Sequence, residues 1–351
     1  MDAFQAAELG VLQHLQVSFY HWDKVMLFLS RASDPRNSFL WYFPVAFCLS
    51  RAVGLKVIWV AIAAEWCNAI MKWLLHGDRP YWWVHETKFY TAEDRPEVDQ
   101  FELTCETGPG SPSGHAMVTT AVFFVMMSEL ASHIQLRNHS QANDIRDRER
   151  FIGRLPWLLL VFMTTGVCIS RVYIATHFPH QVVLGAATGI VLGEIFVRLR
   201  LESLSFGRYI FFSAFFFLSI YGQYAFLCGL NFDPMWSLKL AMQWCAEKTW
   251  LNLDTMLFYA VARDVGALAF IGLAEALPLT VQDRVGQYPL KLATAVLCLV
   301  YAQGIESIAL PRDNLYVFYV LGACKYGLVS LGVVIIKFVL FKIFSPKVKN
   351  G

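Results

Sequence analysis

The sequence predicts an all-α polytopic membrane protein with about nine spans, and three observations carry that prediction. Hydrophobic residues make up 56% of the 351 positions and charged residues only 16%, too little polar material to cover a soluble body. Mean hydropathy is +0.46. Apolar runs of roughly 20 residues recur along the chain, the length a helix needs to cross a hydrocarbon core. The ten-residue alternating segments of a membrane β-barrel are not visible.

The chain reads as one membrane-embedded domain, 1–351. Met1–Lys24 is amphipathic, with Leu12, Leu15, Phe19 and Trp22 at helical spacing, and is expected to lie on the membrane surface. Met1–Asp23 lacks a basic leader and carries Asp2 and Glu8, so no signal peptide is predicted and the first span serves as an uncleaved anchor. Polar Ser30–Asn37 delays that span to Phe39–Val53, and the second covers Val57–Leu75. A long polar loop, 76–114, precedes the third span, which starts after His115 and ends near Ser132. Further spans are expected at Pro156–Ile169, Phe178–Val197, Tyr209–Leu227, Thr255–Leu277, Lys291–Leu310 and Leu315–Phe341, followed by a tail at 342–351.

The basic residues divide by side. Arg51, Lys56, Arg137, Arg146, Arg148, Arg150, Arg154, Arg198, Arg200, Arg208, Arg284, Lys342, Lys347 and Lys349 occupy one set of loops, whereas the 76–110 loop is acidic. The positive-inside tendency assigns the first set to the cytosol. An odd number of spans then puts the N-terminus on the far side and the C-terminus in the cytosol. The sequon Asn138-His139-Ser140 falls in a cytosolic loop and is expected to be unused.

The net charge of +2 discriminates nothing, and no basic patch with interleaved aromatics suggests nucleic acid. The 11 Trp and 14 Tyr fit interfacial belts. Of eight cysteines, Cys48, Cys67, Cys168, Cys228, Cys298 and Cys324 lie in or beside apolar segments, where they act as small hydrophobes. Cys105 and Cys245 fall in loops on one, oxidising, side, and pairing between them is open. No metal-ligand spacing is present.

Three short fragments beside apolar runs carry chemistry. Lys72 ends the second span and Arg79 follows, just before Pro80. Flanking cations often merely snorkel to the interface, but these lie on the side where such residues should be sparse. Glu65 and Asn68 share a helix face with Lys72, and a charge in mid-membrane needs a partner. Lys72 is the candidate partner for Glu65; a purely structural pairing is the other reading.

Pro109–His115 runs directly into a helix, with Ser113 as N-cap and the N–H groups of Gly114 and His115 free. Such a helix start attracts an anion; the bland alternative is an ordinary capped span with an interfacial histidine. Arg171 ends the fourth span and His177 opens the fifth. A neutral imidazole can attack phosphorus, which makes His177 a candidate nucleophile, and His115 a candidate general acid. His180 is either a ring-orienting group or an interfacial residue. A lone interfacial histidine is more often structural, so the case rests on all three fragments together.

Lys-x6-Arg-Pro (72–80), Pro-Ser-Gly-His (112–115) and Ser-Arg-x5-His (170–177) resemble, in order, the three-part signature of the type 2 phosphatidic acid phosphatase superfamily. The longer strings at 77–84, 105–115 and 177–182, and the nine-span layout over nearly the whole chain, resemble the glucose-6-phosphatase catalytic subunits. The resemblance implies that Lys72, Arg79 and Arg171 bind the phosphoryl oxygens, assisted by Ser113 and Gly114. It implies His115 as acid and His177 as phosphate acceptor, with no metal or other cofactor.

It also implies an endoplasmic reticulum membrane protein with a lumenal site, acting on glucose 6-phosphate or a related sugar 6-phosphate. Its partners would be the lipid bilayer and a transporter that imports the sugar phosphate. Many superfamily members place Asp four residues after the nucleophile; here Gln181 stands there, so Gln181, His180 or a backbone carbonyl could orient His177. Within the family, Asp78, His85 and Glu86, and a tail without a Lys-Lys-x-x signal, look closer to the ubiquitous branch than to the liver branch.

Other phosphatase chemistries find no support, since the chain lacks a Cys-x5-Arg loop, an Asp-x-Asp-x-Thr run and a P-loop. The remaining rivals are a lipid phosphate phosphatase with the same site and a non-catalytic membrane scaffold.

Overall fold

A computed structural model describes residues 2–139, 146–279 and 287–344, with side chains at 136–139 and 146–152 excluded. Ser140 of the sequon, Arg284 and the tail residues Lys347 and Lys349 lie outside the described residues, as do the side chains of Arg137, Arg146, Arg148 and Arg150. The described chain is helical. Its α-helices are α1 (Asp2–Ser18), α2 (Asp23–Ala32), α3 (Phe43–Leu49), α4 (Arg51–Leu75), α5 (Pro80–Glu86), α6 (Gly114–His139) and α7 (Arg146–Tyr173). They continue with α8 (Pro179–Arg198), α9 (Phe206–Gly229), α10 (Trp236–Trp244), α11 (Leu257–Ala276), α12 (Tyr288–Glu306) and α13 (Leu315–Phe344).

Eight of these segments are long and apolar enough to cross a membrane, and the ninth predicted span is a shorter apolar helix, Ser38–Leu49. At 1.5 Å per residue it reaches roughly 18 Å. The expected Phe39–Val53 span is cut at Ser50, which turns extended and accepts the Val53 N–H at 3.5 Å. The chain thereby starts α4 rather than prolonging α3. Two short helices went unforeseen in polar loops, α5 and α10, each too short to show a helical period by itself.

At the N-terminal segment, α1 packs part of its apolar face on the protein. Leu9 and Leu12 are buried, while Trp22 stays exposed. Polar bonds hold it there: Gln16 Nε2 donates to the carbonyls of Tyr173 (2.8 Å) and Asp99 (2.9 Å). Glu8 accepts from the backbone N–H of His180 at 2.8 Å.

Helices α4, α6, α7 and α8 pack together, α9, α11, α12 and α13 form a second group, and α4 bridges the two through α9 and α11. Outward faces are apolar, as on α9, where Phe211, Leu218 and Phe226 are exposed. Basic residues gather at one end of the bundle. Arg51 pairs with Glu275, and Lys56 binds Glu129 (2.6 Å) and the Val197 carbonyl (2.8 Å). The C-terminal ends of α4 and α7 and the N-terminal ends of α6 and α8 therefore meet at the other end.

A glycine stripe fixes how closely two of these ends approach. A Cβ at Gly185 would stand 2.5 Å from Ser113 O, and one at Gly189 would stand 2.5 Å from Met117 O. This four-residue spacing lets helix backbones touch in a bilayer. It seats the start of α8 on the start of α6. Across the same end, Cys105 and Cys245 form a disulfide with Cα atoms 5.7 Å apart, tying the 87–113 loop to the segment after α10.

Gly189→Ala forces α8 off α6 and is expected to lower thermal stability of the detergent-solubilised protein by about 1–3 kcal/mol. Gly222→Ala on α9, where nothing lies within 4 Å of the new Cβ, is the comparison. Equal melting temperatures for the two variants would show that the stripe does not set the packing.

Candidate functional site

The three sequence fragments converge at this end of the bundle. Lys72 reaches it from the last turn of α4, which His76 closes in the left-handed conformation at φ 48°. Arg79 precedes Pro80, the first residue of α5. His115 lies in the first turn of α6, Arg171 in the last turn of α7, and His177 in the short link to α8.

Arg79 and Arg171 are both buried. Carbonyls hold the first in place: Arg79 Nε donates to Gly108 O (2.8 Å), Nη1 to Thr176 O (3.2 Å) and Nη2 to Pro109 O (3.1 Å). Arg171 Nη1 donates to Ser30 Oγ at 2.6 Å.

Between the two guanidiniums sits a group the sequence reading missed as a site residue, the carboxylate of Glu106. Its Oε2 lies 2.8 Å from Arg79 Nη2 and 3.9 Å from His177 Nε2. Its Oε1 pairs with Arg171 and lies 3.3 Å from His115 Nδ1. Burial by itself would raise the pKa of Glu106, but Arg171, Arg79, His115 and Lys72 together hold it well below the ordinary carboxylate range. Within the acidic 76–110 loop, its adjacency to Cys105 in Cys105-Glu106-Thr107-Gly108-Pro109-Gly110 was the only signal that could have singled it out.

The hydrogen bonds of His177 define its tautomer. Nδ1 lies 2.7 Å from the Gly110 carbonyl and 3.2 Å from Gln181 Oε1. Both partners are acceptors, so Nδ1 carries the proton and Nε2 presents a lone pair, 3.3 Å from Arg79 Nη1. Gln181 is itself anchored, donating to Asp78 O at 2.7 Å and accepting the Phe178 N–H at 3.2 Å. The backbone carbonyl of Gly110 and Gln181 thus fill the place of the missing Asp. His180 does not: its Nδ1 is 2.6 Å from Glu8. Burial, then the positive charge of Arg79, lowers the pKa of His177 well below the usual imidazole value.

Other expectations are met unevenly. Glu65 pairs not with Lys72 but with Arg263 of α11, which also binds Asp264 at 2.9 Å; α4 and α11 lie side by side, so the nearer guanidinium wins. Lys72 is left buried with no hydrogen bond among the described residues. Ser113 spends its hydroxyl as N-cap, accepting the Ala116 N–H at 3.4 Å. Gly114 lies against Asn68, whose amide donates to Pro112 O at 3.0 Å.

A cavity of about 400 Å³ opens onto the cluster, lined there by Lys72, Glu106, Gly114, His115 and Arg171. Arg79, His177 and Ser113 do not line it; the Glu106 carboxylate stands in front of Arg79 and His177. Three cations and one carboxylate leave two net positive charges, the complement of a phosphate monoester dianion. The arrangement can grip a tetrahedral anion and offer it a neutral imidazole.

Comparison with known proteins agrees with this geometry. The PAP2 superfamily profile matches residues 53–204. Human glucose-6-phosphatase 2 is 38% identical over 339 residues, covering 95% of each chain. Dog glucose-6-phosphatase catalytic subunit 1 is 35% identical over 357 residues, covering 100% of this chain and 99% of its own. No solved structure matches.

The depressed pKa of His177 has a signed consequence. Unfolded chains bind a proton at this imidazole below ~6.5 while the folded site refuses it, so this residue's contribution to stability is lost as pH falls through that value. Thermal stability is expected to drop between about pH 7 and pH 5, and His177→Asn is expected to flatten the slope. An unchanged slope in the variant would place the acid sensitivity elsewhere.

Proposed function

Because the chain belongs to the glucose-6-phosphatase family, we propose that it hydrolyses glucose 6-phosphate, or a closely related sugar 6-phosphate, to sugar and inorganic phosphate. The observation that carries the reading is the unprotonated Nε2 of His177, which accepts from the guanidinium of Arg79 at 3.3 Å.

In this mechanism the phosphoryl group enters from the cavity and takes over the contacts now made by the Glu106 carboxylate. Arg79, Arg171 and the unpaired Lys72 bind its oxygens, with the Gly114 end of α6 adding backbone donors. Ser113 supports that helix start through its cap. Nε2 of His177 attacks phosphorus, the bond from phosphorus to the sugar oxygen breaks, and His115 delivers a proton to that oxygen. The same imidazole then takes a proton from water as the water attacks the phosphohistidine, releasing phosphate and restoring both histidines. Arg79 is preorganised by three carbonyls and Arg171 by the Ser30 hydroxyl, so charge building on the phosphoryl oxygens meets fixed donors.

The proposed setting is the endoplasmic reticulum membrane, with the site and N-terminus lumenal and the C-terminus cytosolic. Arg51 and Lys56 at the far end support that orientation, and the Cys105–Cys245 disulfide on the site's own side suits an oxidising compartment. A lumenal site calls for a transporter delivering sugar phosphate, and places the enzyme in glucose production and sugar-phosphate homeostasis.

Purified protein assayed on glucose 6-phosphate and on phosphatidate separates this reading from a lipid phosphatase. A rapid denaturing quench at alkaline pH with labelled substrate is expected to trap an alkali-stable, acid-labile phosphoprotein that is absent in His177→Ala. Arg79→Ala is expected to lower kcat/KM by about 10²–10³. Turnover without a trapped adduct would refute the nucleophile assignment.

A further inference from the structure

The cavity does not stop at the anion site. Its remaining wall mixes apolar side chains, Leu40, Trp41, Trp250 and Leu257 among them, with a polar and charged group: Asp34, Arg36, Asn252, Asp254, Gln303 and Glu306. The members of this polar group come from the link after α2, the segment before α11, and the end of α12. Every one lies outside residues 53–204, the part of the chain matched by the PAP2 superfamily. The superfamily core therefore supplies Lys72, Arg79, Glu106, His115, Arg171 and His177, while the segments outside that match supply the opposite wall.

We infer that this wall is the hexose-recognition subsite, which binds the hydroxyls of the sugar whose phosphate rests in the cradle. The inference rests on the phosphatase reading and names the residues that select the leaving group. Arg36 is an ordered donor: Nε and Nη2 clasp Asp34 at 3.0 and 2.6 Å, while Nη1 lies 3.4 Å from Asp254 and 3.9 Å from Glu306. The carboxylates are likewise held, Asp254 by Arg312 at 3.6 Å and Glu306 by Lys325 at 2.9 Å. Gln303 adds a buried Nε2 with no hydrogen-bond partner, a donor in want of an acceptor.

A sugar hydroxyl is both donor and acceptor. Alternating carboxylates, guanidinium and amides satisfy several such groups at once, and they penalise a leaving group that leaves them unpaired. An acyl chain lying against this polar group would desolvate its ionised members without replacing their hydrogen bonds. The cavity volume falls in the usual range for small-molecule sites.

The test compares two substrates on the full-length protein in detergent: glucose 6-phosphate, and phenyl phosphate, which has no hydroxyls. Gln303→Ala and Asp254→Asn are each expected to lower the ratio of kcat/KM for glucose 6-phosphate over phenyl phosphate by about tenfold or more, chiefly through KM. Turnover of phenyl phosphate reports that a variant has folded. Gln303→Ala is the safer substitution because its amide Nε2 has no partner in the fold to lose. If both activities fall by one common factor in both variants, or the ratio does not move, the wall is only an ion-pair network bracing α2 to α11 and α12, and the subsite is overturned. Wild-type protein that hydrolyses phenyl phosphate without preferring the sugar ester also overturns it. Wild type that hydrolyses neither ester overturns the phosphatase reading itself.

Discussion

The protein buries three cations, Lys72, Arg79 and Arg171, at one end of a helical bundle, and the rest of the site follows from the need to compensate them. A buried guanidinium is tolerated only with partners placed around it. Arg79 finds three carbonyls, all from segments that flank the site. Both arginines then share the carboxylate of Glu106. That leaves a surplus of positive charge, which suits the site to a doubly negative ligand rather than to none. Burial, together with the same crowding of positive charge, keeps His177 neutral, the state that the proposed mechanism requires of it.

Holding these groups together is a matter of backbone approach more than of side-chain fit. With no hydrophobic force between helices in a bilayer, small residues decide which faces touch. Gly185 and Gly189 set the start of α8 on the start of α6, and Ser113 N–H donates to the Gln181 carbonyl across that contact at 3.0 Å. Gly110 is equally constrained. Its carbonyl orients His177, and a Cβ there would lie 2.3 Å from Asp78 O. Each motif thus carries a residue that positions the next.

Much of this was legible in the sequence. The spans, the side on which the motifs gather, and the candidates Lys72, Arg79, His115, Arg171 and His177 all came from local signals, hydropathy and charge segregation above all. Ser50 hid because an N-cap inside an apolar run does not alter hydropathy. Glu106 hid because one carboxylate among eight in an acidic loop has no periodicity to mark it. The Glu65–Arg263 pair joins residues about two hundred positions apart, and helical spacing speaks only for neighbours three or four apart.

By itself, then, the sequence determined that this is a membrane-spanning helical protein and which chemical groups it can bring to a phosphate, because hydropathy and residue type are properties of the chain at each point. Only the tertiary structure decided which partners those groups take: Glu106 between the arginines, the Gly110 carbonyl and Gln181 on His177, Arg263 rather than Lys72 on Glu65. It alone assembled the polar wall from the two ends of the chain. Partner choice among buried charges depends on distances of a few ångströms between segments far apart in sequence, and no local pattern encodes them.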